Sequence, residues 1–191
     1  MATRERAKLS EGVIEADNKL TLSIVLPCGF EHDFFIRTAE SLFYETPKEV
    51  LKEIVIVDDA SEPPLIDLWP EKEAAEFGVK YVRVDSALGL IGAKQVGAEA
   101  ATGDIIVFFD CHVKPAENYW LPYVKNVYEN YRRVVIPTIT NLNVETWEEF
   151  GRPTGGGGMS KCYLTFDAEF KWTNDDTPYV PIMSGGLLAI R

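Results

Sequence analysis

The chain has 191 residues, a length that fits a single α/β domain with one hydrophobic core. Hydrophobic residues make up 46% of it, which excludes an acidic disordered tail. Its 19 Lys and Arg against 30 Asp and Glu give a net charge of −11, which excludes a nucleic-acid partner that needs a broad basic surface. An acidic protein that binds a phosphate-bearing ligand must neutralise it locally, and a divalent cation is one means of doing so.

Strands and helices are predicted to alternate along the chain. Residues 1–19 are polar and predict an N-terminal arm, whereas residues 20–191 predict one domain. The predicted strands span 20–27, 53–58, 79–85, 105–110 and 134–139. The first predicted helix begins after Asp33, and three more helices are predicted at 65–77, 91–101 and 117–131. This order predicts an α/β fold, with a mostly parallel sheet and helices on both faces. No stretch reaches the ~18 apolar residues of a membrane segment.

The predicted helix at 91–101 contains several small residues. The small residues between Gly97 and Ala101 predict that this helix lies close on the sheet, and Gly103 is placed to end it in the left-handed conformation. The three cysteines are too few and too scattered for a disulfide framework. Cys111 is interpreted as a packed cysteine rather than a reactive thiol, because no paired base is evident.

Chemically capable residues follow the predicted strands. Ligands of open parallel sheets bind at the carboxyl ends of the strands. This edge is predicted to carry Pro27, Asp58, Asp59, Asp85 and the triplet Asp110-Cys111-His112.

The triplet predicts a cation site. Side chains alternate along an extended segment, so Asp110 and His112 point to one side and Cys111 to the other. A carboxylate with an imidazole suits Mn²⁺ or a similar ion, with water and a diphosphate as the remaining ligands. The alternative is that Asp110 caps the next turn and His112 is an ordinary loop residue, and the triplet alone favours that alternative.

The other candidates also have two interpretations. Asp58 and Asp59 can accept hydrogen bonds from a base or ribose, or can serve as turn-formers and helix caps. Lys94 can lie near a phosphate or on a solvated helix face. The glycines at 155–158 are not followed by the Lys-Ser/Thr of a phosphate loop, which favours a surface loop.

Four sequence blocks in order resemble one enzyme family. The blocks are KEIVIVDDAS, GLIGAKQVGAEAATGDIIVFFDCH, NYWLPYVKNVYEN and YVPIMSGGLLAI. From about residue 20 to the end, the chain resembles the polypeptide N-acetylgalactosaminyltransferases and related GT-A family-2-like glycosyltransferases.

The resemblance implies a GT-A fold and retaining transfer of a sugar from a UDP-linked donor to Ser or Thr of a polypeptide, helped by Mn²⁺. It implies that Asp110 and His112 are metal ligands and that Asp58 and Asp59 lie near the uridine. It further implies that Gly185 and Gly186 lie beside the donor sugar. The resemblance also suggests the Golgi lumen.

The chain departs from the family pattern at several positions. It has Gly29-Phe30-Glu31 where the family has His-Asn-Glu, so Glu31 alone is retained. Gly92 replaces an arginine, leaving Lys94 as the nearest basic match. The later W-G-G-E block and a third, histidine metal ligand have no counterpart, from which a fragment lacking the C-terminal part of the catalytic domain is expected.

Two rival functions remain open on these grounds. One is a non-catalytic nucleotide-sugar-binding module, suggested by Gly29 and Gly92. The other is an inverting family-2-like transferase with a glycan or lipid acceptor, whose carboxylate base would come from Glu169, Asp175 or Asp176. The sequence identifies no catalytic residue.

Overall fold

The computed structural model describes residues 4–9, 19–137, 139–150, 161–173, 182–183 and 185–191. The chain divides into two compact units, one formed by Met1–Val135 with Ala189–Arg191 and the other by Ile136–Leu188. None of the helices in the described ranges combines the length and the apolar character that crossing a bilayer requires.

The first unit is built on a five-stranded sheet. Its strands are β1 (Leu22–Cys28), β2 (Leu51–Asp59), β3 (Val79–Val84), β4 (Ile105–Phe108) and β10 (Leu188–Ile190), in the spatial order β10-β4-β1-β2-β3. β1 pairs in parallel with both β2 and β4, and β2 pairs in parallel with β3. Its helices are α1 (Phe34–Glu45), α2 (Leu65–Leu68), α3 (Glu71–Ala75), α4 (Gly89–Ala100) and α5 (Trp120–Glu129). The predicted α/β class, a mostly parallel sheet with flanking helices, is confirmed.

Two predicted elements are wrong. Residues 65–77 form two short helices rather than one, because Pro70 between them has no N–H to continue the first. Of the strand predicted at 134–139, the described residues 134–137 and 139 form none: Val135 makes only an isolated antiparallel bridge with Ala189. Pro137 cannot donate to a ladder and interrupts this run, so β10 takes the sheet edge beside β4 instead.

The close approach of α4 to the sheet depends on Gly97. A Cβ atom there would lie 2.3 Å from Cγ1 of Val25 and 2.9 Å from Cγ2 of Val57. The predicted close packing of this helix is confirmed. Side chains on the opposite face of the same strands, such as Ile24 and Ile56, are also fully buried, so both faces of the sheet are covered.

Gly103 does not have the predicted left-handed conformation, which the structure gives only to Gly78 and Gly89 among the described glycines. A side chain at position 103 is excluded for another reason, since its Cβ would lie 2.7 Å from the backbone nitrogen of Ser23. This glycine therefore allows two backbone segments to touch.

The N-terminal residues that are described lie along the end of α1. The N–H of Ala7 donates to the carbonyl of Tyr44 over 2.7 Å, and Arg4 pairs with Glu45. The boundary of the arm at residue 19 stays a prediction.

The second unit contains short antiparallel strands. β5 (Asn141–Asn143) and β6 (Glu148–Phe150) form a hairpin, and β7 (Lys161–Leu164) lies between β8 (Phe170–Thr173) and β9 (Ile182–Met183). The 155–158 glycines lie outside the described residues.

Candidate functional site

A cleft of about 210 Å³ lies at the carboxyl ends of β1 and β4, beside the start of α4. The parallel register aligns Val25 of β1 with Phe108, the last residue of β4, and β1 continues to Cys28 beside the triplet. The cleft is lined by Pro27, Cys28, Gly29, Glu31, Asp59, Leu90, Ala93, Asp110, Cys111 and His112. It therefore lies at the sheet edge where parallel sheets bind ligands.

Asp110 and His112 both line this cleft. Asp110 is half-buried, the side chain of His112 is 50% exposed, and Cys111 between them is buried. The N–H of Phe109 donates to the carbonyl of Val25 over 3.1 Å, which continues the ladder to the residue before the triplet. The carboxylate and the imidazole thus share one solvent-accessible space.

A side chain of α1 forms hydrogen bonds with the backbone of the triplet and of the residue that follows it. Thr38 is fully buried; its hydroxyl donates to the carbonyl of Cys111 over 2.8 Å and accepts the N–H of Val113 over 3.0 Å. One side chain thereby fixes the backbone on both sides of His112. Sequence reasoning missed this residue, because a threonine inside a helical pattern carries no signal of a partner more than 70 residues away.

A disulfide joins Cys28 to Cys111. Cys111 is buried, in agreement with its interpretation as a packed cysteine, but the sequence did not predict this disulfide. The two cysteines are 83 residues apart in sequence. Because β1 and β4 are neighbouring strands, the Cα atoms of Cys28 and Cys111 lie only 6.0 Å apart. The cross-link forms part of the cleft wall and ties the end of β1 to the triplet.

Asp58 is a buried structural group in this structure. Its side chain is 3% exposed, accepts the N–H groups of Ser61 and Leu65, and pairs with Arg83. Burial opposes its ionisation, but the hydrogen bonds from Ser61, Leu65 and Arg83 outweigh burial and hold its pKa below the usual value. Asp58 is not among the residues that line the cleft.

Asp59 lines the cleft and caps α4. Its two carboxylate oxygens accept the N–H groups of Leu88 at 2.7 Å and Gly89 at 2.9 Å, where the helix begins. Gly89 has a φ of +73°, a conformation that favours glycine. The contacts of Asp58 and Asp59 are those of turn-formers and caps, and a role near a nucleoside stays a prediction for both.

The remaining predicted residues of the first unit lie in or near the cleft. Pro27 and Glu31 line it, and Oε2 of Glu31 lies 3.8 Å from Nδ1 of His112. Lys94 is half-buried, with Nζ 5.5 Å from the ring centroid of Phe108. Burial lowers the pKa of Lys94, while the nearby Asp110 carboxylate acts in the opposite direction. Lys94 is thus electrostatically coupled to the triplet.

Other candidates belong to the second unit. Gly185 is exposed and Gly186 half-buried, and their place beside a donor sugar stays a prediction. Glu169, one of the possible bases, pairs with Lys171 over 2.7 Å. Asp175 and Asp176 lie outside the described residues.

The potential metal ligands of the cleft fit a divalent cation that the protein surrounds only in part. Asp110 and His112 offer oxygen and imidazole ligands, and Glu31 and Asp59 add negative charge to the same walls. Within the described ranges, no three His, Cys, Asp or Glu side chains come close enough to enclose a metal ion. A cation here would therefore need further ligands from its substrate and from water.

Comparison with known proteins places this chain in a family. The model of glycosyl transferase family 2 matches residues 23–188. The chain is 32% identical over 186 residues to a putative polypeptide N-acetylgalactosaminyltransferase 10 of Caenorhabditis briggsae, covering 89% of this chain and 29% of that protein. It is 32% identical over 192 residues to polypeptide N-acetylgalactosaminyltransferase 11 of Xenopus tropicalis, covering 90% and 30%.

The fold agrees with a solved relative. A crystal structure of GalNAc-T7 with UDP, GalNAc and Mn²⁺ matches with a TM-score of 0.78 and 28% identity, covering 92% of this chain and 35% of that one. The chain thus spans about a third or less of the length of these relatives. Its sheet and flanking helices are those of GT-A glycosyltransferases, and the chain belongs to glycosyl transferase family 2.

Proposed function

We propose that this chain is the donor-binding part of a metal-dependent glycosyltransferase that uses a UDP-sugar. The observation that carries the proposal is that Asp110 and His112 line one cleft at the carboxyl edge of the parallel sheet. The UDP and Mn²⁺ of the GalNAc-T7 structure, a match over most of this chain, support the same ligands here.

In this proposal six of the predicted residues in or near the cleft have a defined task. Asp110 and His112 would hold Mn²⁺ or a similar cation, which would supply positive charge to offset that of the diphosphate. Asp59 keeps the start of α4 at the cleft through the N–H groups of Leu88 and Gly89. Lys94 adds positive charge near Asp110, and Pro27 and Glu31 complete the wall.

The test combines binding with turnover. Calorimetry should show UDP binding that requires Mn²⁺, and a UDP-sugar should be hydrolysed or its sugar transferred. Asp110→Ala and a chelator should each abolish both signals. Activity that survives chelator and Asp110→Ala would contradict the proposal, whereas Mn²⁺-dependent binding without turnover would favour a non-catalytic nucleotide-sugar-binding module.

The acceptor and the stereochemistry are proposed from similarity to the polypeptide N-acetylgalactosaminyltransferases. We infer retaining transfer to Ser or Thr of a polypeptide. Incubation of Ser/Thr peptides with UDP-sugars, followed by analysis of the product anomer, tests both points. An inverted product on a glycan or lipid acceptor would select the rival family-2-like reaction.

We also infer location in the Golgi lumen from the same relatives. The Cys28–Cys111 disulfide supports an oxidising compartment, because such cross-links persist where thiols are not kept reduced. Co-localisation of the tagged protein with a Golgi marker tests this inference.

A further inference from the structure

We propose that Glu31 is a positioning residue for His112: its carboxylate accepts the Nδ1–H of the imidazole and so presents Nε2 to the cation beside Asp110. The inference rests on the proposed function, because it assigns a new role within the same metal site. It concerns a residue of the cleft wall that makes no other ion pair in the described part of the chain.

The geometry brings the two side chains together across neighbouring strands. Glu31 follows β1 and His112 follows β4, and these strands are parallel partners. Oε2 of Glu31 lies 3.8 Å from Nδ1 of His112, with the side chains 23% and 50% exposed. This is an ion-pair distance, and a side-chain rotation that shortens it by about 1 Å gives a hydrogen bond.

The chemistry of imidazole gives this contact its consequence. A neutral imidazole carries one N–H, and the partner of that nitrogen decides which nitrogen is left to bind a metal. Metal-binding histidines commonly donate their second N–H to a carboxylate, which also makes the ligating nitrogen more basic. Because Glu31 faces Nδ1, the nitrogen left for a cation is Nε2.

The backbone around His112 makes this arrangement effective. Thr38 and the Cys28–Cys111 disulfide fix the main chain on either side of the imidazole. What they leave free is rotation of the ring about its own side-chain bonds. Glu31 restricts that rotation, and a metal site with few protein ligands gains most from ligands that are already oriented.

The tautomer of His112 provides a direct test. The chain has two histidines, so the ring-nitrogen signals of a ¹⁵N-labelled, metal-free protein are readily assigned. His32, which packs edge-on against Phe34, is the internal control. At about pH 8, where imidazole is neutral, wild type should show His112 protonated on Nδ1. Glu31→Ala should shift the proton toward Nε2, and Glu31→Gln should leave it on Nδ1 because the amide oxygen still accepts.

Mn²⁺ affinity supplies the second readout, measured by electron paramagnetic resonance of the free ion. Glu31→Ala should weaken binding by about 10- to 100-fold, Glu31→Gln by less, and Glu76→Gln, which removes an exposed carboxylate just after α3, by little. An unchanged tautomer in Glu31→Ala overturns the proposal. Equal, severe loss of Mn²⁺ in Gln and Ala variants also overturns it, since that result makes Glu31 a direct ligand.

The two proposals fail in different ways. If wild type does not bind Mn²⁺, or Asp110→Ala leaves binding intact, the proposed function fails while the metal-free tautomer still decides the Glu31–His112 contact. If Mn²⁺ binding depends on Asp110 but the tautomer of His112 does not change when Glu31 is replaced, only the positioning role fails.

Discussion

Thr38 and Cys111 are joined by a buried hydrogen bond, in which Thr38 Oγ1 donates to the Cys111 carbonyl over 2.8 Å. The same oxygen accepts the N–H of Val113 over 3.0 Å. A helix on one side of the domain therefore holds the backbone that carries the candidate metal ligands. Thr38 therefore supports the candidate site without lining the cleft.

Replacing Thr38 by Val should destabilise the fold by about 1–3 kcal/mol, because it leaves a buried carbonyl and a partly buried N–H without their partner. It should also weaken Mn²⁺ binding, since the triplet backbone is no longer fixed. Urea denaturation and Mn²⁺ titration measure the two effects. Thr38→Ser, which keeps the hydroxyl, should retain most of the stability and most of the Mn²⁺ binding. If Thr38→Ser and Thr38→Val lose equal amounts of both, the hydrogen bonds are not the cause.

Removing the disulfide should lower stability. Cys28 and Cys111 close a loop with a sequence separation of 83, and loss of such a cross-link costs about 2–4 kcal/mol. Denaturation of Cys28→Ser/Cys111→Ser should resemble that of reduced wild type and should not respond to reductant. A double variant that still gains sensitivity to reductant would show that another thiol is involved.

Gly97→Ala should destabilise the domain by about 1–2 kcal/mol, since the clash outweighs the better helix propensity of alanine. Its Cβ would lie 2.3 Å from Cγ1 of Val25. Thermal or urea denaturation measures the loss, with Gln95→Ala on the exposed face as the control. Combining Gly97→Ala with Val25→Ala should cost less than the sum of the two changes, and strict additivity would contradict the clash.

Acid should weaken the fold through Asp58. Its pKa is lowered in the folded state, so its contribution is complete above the unfolded value of about 3.9 and is lost as pH falls through the folded value. The stability difference between wild type and Asp58→Asn should therefore be largest near neutral pH and shrink below about pH 4. Urea midpoints from pH 6 to pH 3 measure it, and Asp85→Asn, an exposed carboxylate, should show no such trend.

The location of the site follows from sequence because it depends on local patterns. Short apolar runs that end in polar residues predict buried parallel strands, and parallel topology places their carboxyl ends at one edge. Asp110, His112, Asp59 and Pro27 line the cleft for this reason. The side-chain alternation expected of an extended triplet does not explain why Asp110 and His112 line one cleft, because β4 ends at Phe108 and Cys111 and His112 lie in a turn.

The sequence by itself determined the four parallel strands β1–β4 and which edge of the sheet carries polar groups, because both depend on residues that are near neighbours in the chain. Only the tertiary structure decided that Cys28 pairs with Cys111, that Thr38 holds the triplet and that Glu31 faces His112. Each of these contacts joins segments more than 70 residues apart. The packing of α1 and the β1–β4 pairing create those contacts, and no local pattern encodes them.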